Sequence, residues 1–143
     1  MPAPRYSTVF SRSSDQVWSF IRDFGHYKWA GVVNECHIED GKSGDAVGCI
    51  RHVELGDRSI RQRLLAHSDI ERFYTYTFCE PIPFPWRDFV ATLRVIPITD
   101  GDRALVEWSA RFDCADDAHD RWHDHLTRSF GKWLESLRTH LPA

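Results

Sequence analysis

From Val32 to Asp113 apolar side chains recur at every second position in six successive runs, and beyond Ala115 the period lengthens to that of a helix. Period two places alternate residues on one face of a strand, whereas a period of about 3.6 lays a stripe along a helix. Few folds are open to a chain patterned this way. An antiparallel meander must cover its apolar face, and one long amphipathic helix is available to cover it. The runs are Val32 to Glu39, Val47 to Leu55, Ser59 to His67, Phe73 to Glu80, Trp86 to Pro97 and Ala104 to Asp113. Turn chemistry separates them, in Asp40-Gly41-Lys42-Ser43-Gly44, Gly56-Asp57, Ser68-Asp69, Pro81 to Pro85 and Thr99-Asp100-Gly101-Asp102. In the predicted helix, Ala115 to Leu141, the residues Ala118, Trp122, Leu126, Phe130, Trp133 and Leu137 fall within about 120° of one another. Asp120, Arg121, Asp124, Arg128 and Glu135 lie outside that arc.

Ahead of the meander, Arg5 to Ser11 alternates as an opening strand. Ser13 and Gln16 then have the spacing of a capping box, and Val17, Trp18, Phe20, Ile21 and Phe24 form a helical stripe that Gly25 ends. A second short helical turn is expected from His26 to Trp29. The pattern predicts an α+β fold: a curved seven-stranded antiparallel sheet wrapped around a long C-terminal helix, with two short helices after the first strand. With no repeat, low-complexity tract or linker, residues 1–143 read as a single domain.

The formal charge of −3 lacks the basic excess that a phosphate backbone demands, so nucleic acid is not an expected partner despite Arg58, Arg61 and Arg63. No apolar run reaches the roughly 18 residues of a membrane span, and no basic stretch followed by an apolar one opens the chain. A cytoplasmic protein, monomeric or homodimeric, is expected. Cys36, Cys49, Cys79 and Cys114 form no C-x-x-C pair and read as small buried hydrophobes. Six Trp, nine Phe and four Tyr supply large rings suited equally to a core and to the wall of a cavity.

Several segments carry a family likeness: Val17-Trp18-Ser19-Phe20-Ile21-Arg22-Asp23-Phe24, Val47-Gly48-Cys49-Ile50-Arg51, Arg63-Leu64-Leu65, Phe89-Val90-Ala91-Thr92-Leu93-Arg94-Val95 and Val106-Glu107-Trp108-Ser109-Ala110. Spread over nearly the whole chain, they resemble the START-like superfamily (SRPBCC), which also includes the birch pollen allergen and abscisic acid receptors. The local text is similar to its bacterial polyketide cyclase/dehydrase branch. The resemblance implies a helix-grip fold enclosing a small hydrophobic, oxygenated organic molecule, without a cofactor. It leaves open whether the chain cyclises or dehydrates that molecule, carries or senses it, or is a chaperone-associated module binding protein through an apolar outer face at Trp108 and Phe112.

The more apolar alternation of each strand predicts its inward face. The sets are Val32, Asn34, Cys36 and Ile38; Cys49, Arg51, Val53 and Leu55; Ile60, Gln62, Leu64 and Ala66; Tyr74, Tyr76 and Phe78; and Phe89, Ala91, Leu93 and Val95. In the last strand alternation turns Val106, Trp108, Ala110 and Phe112 inward, whereas the resemblance places Glu107 on the pocket, with Ser109 and Arg111. We follow the resemblance. Hairpin registers centred on the turns then set Asn34 opposite Arg51, Arg51 opposite Gln62, Gln62 opposite Tyr76, Tyr76 opposite Ala91 and Ala91 opposite Ser109. A cavity of several hundred Å³, the usual size of a ligand site, is expected between sheet and helix.

Within these sets Arg51 and Glu107 are the sharpest catalytic candidates, since an inward guanidinium can hold an oxyanion and an inward carboxylate can move a proton. The alternative is an internal ion pair that only closes the barrel. His119 near the centre of the helical stripe, and His125 at its edge, carry the side chain most used for proton transfer and could act as acid or base, or be structural. Asn34, Gln62, Tyr74, Tyr76, Phe89, Ser109, Arg111, Trp122, His125 and Leu126 are expected to line the ligand. His119 and His123 have the spacing of two metal ligands but lack the intervening glutamate and a third ligand, so no metal site is expected. The stiff, apolar Pro81-Ile82-Pro83-Phe84-Pro85-Trp86 segment borders the cavity mouth by resemblance. No nucleophile elbow, phosphate-binding glycine loop or dinucleotide fingerprint is present.

Overall fold

The computed structural model describes residues 3–142. The opening strand β1 (Arg5–Phe10) leads into α1 (Ser14–Ile21), where Ser13 and Gln16 form the expected reciprocal capping box. A 3-10 turn, Lys28–Ala30, stands where the second short helix is expected. The meander follows as β2 (Glu35–Ile38), β3 (Ile50–Leu55), β4 (Arg58–Ser68), β5 (Phe73–Phe78), β6 (Arg87–Ile98) and β7 (Arg103–Asp113). All seven strands form one antiparallel sheet in the order β1-β7-β6-β5-β4-β3-β2, so β1 closes against the last strand of the meander. After a 3-10 turn at Asp116–Ala118, α2 (His119–His140) runs back across the concave face. Among the described residues no helix is long and apolar enough to cross a membrane.

The core is the space between that face and α2. Leu126, Phe130, Leu134 and Leu137 of α2 are buried, while Trp122 and Trp133 flank the stripe half-buried. Gly131 lets the helix lie close to β1, since a Cβ there would stand 3.1 Å from the Tyr6 ring. Trp108 seals the centre: its ring stacks on Phe130 at 5.1 Å and 7°, with Trp29 at 5.8 Å.

This packing reverses the expected orientation of β7. Val106, Trp108, Ala110 and Phe112 point inward, as alternation alone requires, and Glu107, Ser109 and Arg111 lie on the outer face. Glu107 is half-exposed there and faces Arg5 at 3.7 Å. The reason is parity. Four residues, 99–102, separate the paired positions Ile98 and Arg103, so Ala91 meets Ala110 and not Ser109. With Trp108 and Phe112 both buried, the outer apolar patch that a chaperone-associated module would use is not formed.

Other registers hold or slip by whole pleats, except beyond one bulge in β4. Arg51 faces Gln62 and Tyr76 faces Ala91, as expected. Gln62 faces Phe78 rather than Tyr76, with a bulge at Leu65 that also turns the His67 side chain inward where Ala66 was expected. Arg51 faces Ile38, and Asn34 falls outside β2: exposed, its side-chain oxygen accepts from the Gly56 backbone N–H, so it braces a turn and does not line the cavity.

Asp69 in the β4–β5 turn clasps α1. Its carboxylate accepts from Arg22 Nε and Nη2 and from Trp18 Nε1, each at 2.9 Å. The Arg22 guanidinium holds this carboxyl well below the usual carboxylate range. A depressed folded-state pKa stabilises above the unfolded value of about 3.9 and is lost as the carboxylate protonates in acid. Asp69→Asn should therefore lower stability at neutral pH by under about 1 kcal/mol, the scale of half-exposed pairs. In urea titrations that deficit should shrink steadily below about pH 4; a deficit independent of pH would show that the charge is not what matters.

Candidate ligand-binding site

Beneath the outer end of α2 an aromatic slot opens between the helix and β3–β6. Its volume is ≈ 90 Å³, far below the several hundred expected. The rings that were to line a wide cavity fill it instead. Phe84, Trp86 and Phe89 stack at 4.4 and 5.0 Å, Phe78 meets Phe89 edge-on at 4.9 Å, and Trp122 abuts Trp86 at 5.1 Å. The proline-rich segment, a succession of bends, thus delivers Phe84 and Trp86 to the wall.

Of the expected ligand contacts, Gln62, Tyr76, Phe89, His125 and Leu126 line the slot. His125 is exposed and marks the mouth, together with the exposed Val32. Trp122 backs the Trp86 wall. His119 is not at the slot: it stacks on Phe112 at 5.4 Å and 11°, with Nδ1 buried and unpartnered. Asn34, Ser109, Arg111 and Glu107 are elsewhere, as described above. Sequence reasoning missed Tyr27 and Val33, which enter from the segment after α1, and gave Trp133 no ligand role although it stands on the helical stripe. The stripe was signal enough for Trp133; for Tyr27, a lone ring beside a short helical turn, there was none.

Arg51 lies directly behind the inner end of the slot and is completely buried. Its Nε donates to Gln62 Oε1 at 2.7 Å and its Nη1 to the Phe24 carbonyl at 3.3 Å, while Nη2 has no partner. The guanidinium carbon lies 3.6 Å from the Tyr27 ring centre, 4.0 Å from Phe24 and 4.9 Å from Tyr76. Three slot-lining residues, Tyr27, Gln62 and Tyr76, therefore touch the cation. Tyr74, with its hydroxyl buried and unpartnered, sits deeper, and Tyr76 Oη accepts from Trp108 Nε1 at 3.1 Å.

Burial pushes the Tyr76 phenol up to about 12 and raises Tyr27 and Tyr74 as well, so all three are neutral at physiological pH. Burial likewise raises the nearby Cys36 thiol. A guanidinium stays protonated under all such conditions. Arg51 is accordingly a buried positive charge whose contacts are all neutral. Gln62, whose oxygen accepts from Arg51, is also one of the residues that line the slot. Among the described residues no three His, Cys, Asp or Glu side chains are grouped to hold a metal.

A curved sheet gripping one helix over a buried aromatic slot defines a hydrophobic-ligand-binding fold of the helix-grip type. The family model described as polyketide cyclase/dehydrase and lipid transport matches residues 2–141, and the chain belongs to that family. Among solved structures it is similar to the protein XoxI from Bacillus cereus, at 26% identity and a TM-score of 0.85, covering 99% of this chain and 96% of the other. A protein from Thermobifida fusca is similar at 26% identity and a TM-score of 0.86, covering 96% and 91%. Norcoclaurine synthase from Thalictrum flavum, solved as a point mutant with a transition-state analogue, shares the fold at 13% identity and a TM-score of 0.75, covering 98% and 93%. No curated protein matches the sequence.

Proposed function

We propose that the chain binds a compact hydrophobic, oxygenated molecule in the aromatic slot, as a carrier or sensor of it. One contrast supports this reading above all: rings surround a void whose lining includes one amide, that of Gln62, held in place by Arg51. Apolar walls with one or two placed polar groups are the usual make-up of a small-molecule site. The size of the void sets the ligand class. An engineered apolar cavity of about 150 Å³ accepts benzene, so a one-ring ligand needs modest widening here, and the half-buried Phe84 at the mouth is the side chain free to give.

Catalysis of cyclisation or dehydration is the second reading, favoured by the uncompensated charge of Arg51. Such a charge would stabilise an enolate oxygen developing near Gln62. Proton transfer would then fall to His125 at the mouth, because Glu107 is on the opposite face of the sheet.

The test is quenching of tryptophan emission, Trp86 and Trp133 both being in the wall. Acetophenone should bind the wild type, and Phe84→Ala should raise the affinity for a two-ring ketone such as 2-acetylnaphthalene by about tenfold, roughly 1.4 kcal/mol. No quenching by either probe at millimolar concentration, in wild type or variant, would refute the slot as a binding site.

A further inference from the structure

Building on the ligand-binding reading, we propose that the ligand enters the slot as an anion, a carboxylate on a single aromatic ring or a comparably compact body, and that Arg51 is its partner.

Three other arginines of the molecule show how this chain grips carboxylates. Arg22 holds Asp69 through Nε and Nη2, at 2.9 Å each, and Arg61 holds Glu39 through the same two nitrogens at 2.7 and 2.8 Å. Arg72 uses that edge on Asp15. Parallel N–H donors on this edge match the two oxygens of a carboxylate. On Arg51 the same edge is half filled: Gln62 Oε1 accepts from Nε, and Nη2 makes no well-formed hydrogen bond among the described residues, with the Tyr74 hydroxyl close to the guanidinium. The amide oxygen occupies one of the two places a carboxylate would take.

The position of that edge is equally specific. Gln62 both covers it and lines the slot, so a rotation of one side chain joins the void to the fork. Tyr74 Oη, buried close to the guanidinium and without a well-formed hydrogen bond among the described residues, adds a neutral donor in the same recess. An ion taken from water into a protein interior costs several kcal/mol unless it is paired, and the rings of Phe24, Tyr27 and Tyr76 offset only part of that. An anionic ligand would supply the missing charge, while its ring replaces apolar contacts along Phe78, Phe89 and Trp86.

Benzoate and its neutral counterpart benzamide, titrated calorimetrically into the full-length chain at neutral pH, test the assignment. Benzoate should bind at least about tenfold tighter than benzamide, and in Arg51→Met that preference should vanish, the two probes binding with equal affinity. Arg51→Lys, which keeps the charge and loses the fork, should retain a reduced preference. Equal affinities in the wild type would overturn the anion assignment and leave the slot reading intact. Binding of neither probe would overturn both. A full preference surviving in a folded Arg51→Met variant, or in Arg51→Lys should the Met variant fail to fold, would show that Arg51 is not the partner.

Discussion

Trp108→Ala should destabilise the protein by about 3–5 kcal/mol, the range for removing a fully buried large ring, whereas Glu107→Ala next to it should cost less than about 1 kcal/mol, as a half-exposed ion pair does. For a chain of this length the first corresponds to a fall in Tm of roughly 10–20 °C and the second to a few degrees at most. Trp108 is wholly buried, stacked on Phe130 and hydrogen-bonded through Nε1 to Tyr76, so its loss opens a cavity and removes a buried bond at once. Glu107 makes a 3.7 Å ion pair with Arg5, whose side chain is 61% exposed. Thermal unfolding of the two variants would reveal which of these neighbours faces the core. Comparable losses would contradict the placement of β7.

That pair of residues also marks where the sequence was informative and where it was not. Alternation in Ala104–Asp113 pointed Trp108 inward, and the hydrophobic surface of a Trp outweighs any benefit of a buried carboxylate. The likeness to the hormone receptors argued otherwise, but a likeness transfers a position only if the hairpin keeps its length. Here the loop parity between Ile98 and Arg103 decides the face of every residue in β7. Where the turn was unambiguous, as at Gly56-Asp57, the register of Arg51 against Gln62 followed from sequence alone. The bulge at Leu65 left no trace in the pattern, because Leu65, Ala66 and His67 suit either face. The slot's small size was illegible for a different reason. Periodicity says which rings point inward, not whether they meet, and the stack of Phe84, Trp86 and Phe89 depends on the path of a proline-rich loop.

Removing Gln62 alone should be worse than removing both members of the Arg51–Gln62 pair. Gln62→Leu strips the acceptor from a completely buried charged donor and should cost about 2–4 kcal/mol. Arg51→Met keeps apolar volume, gives up contacts with three rings, and removes the expense of holding an ion out of water, so its net effect should lie within about 1 kcal/mol of zero. The double variant should recover at least about 2 kcal/mol over Gln62→Leu alone, since an apolar pair leaves nothing unsatisfied. Urea unfolding of the four proteins measures the coupling directly. Strictly additive losses would mean that the two side chains do not depend on each other and that the hydrogen bond between them contributes nothing. The predicted pattern has a functional corollary. If folding would be as well served by an apolar residue at position 51, stability does not account for the guanidinium there, and its presence beside the slot is explained by what it binds. The same four proteins titrated with benzoate should then rank in the opposite sense to their stabilities at one point: the double variant, sound in fold, should bind the anion no better than the neutral amide.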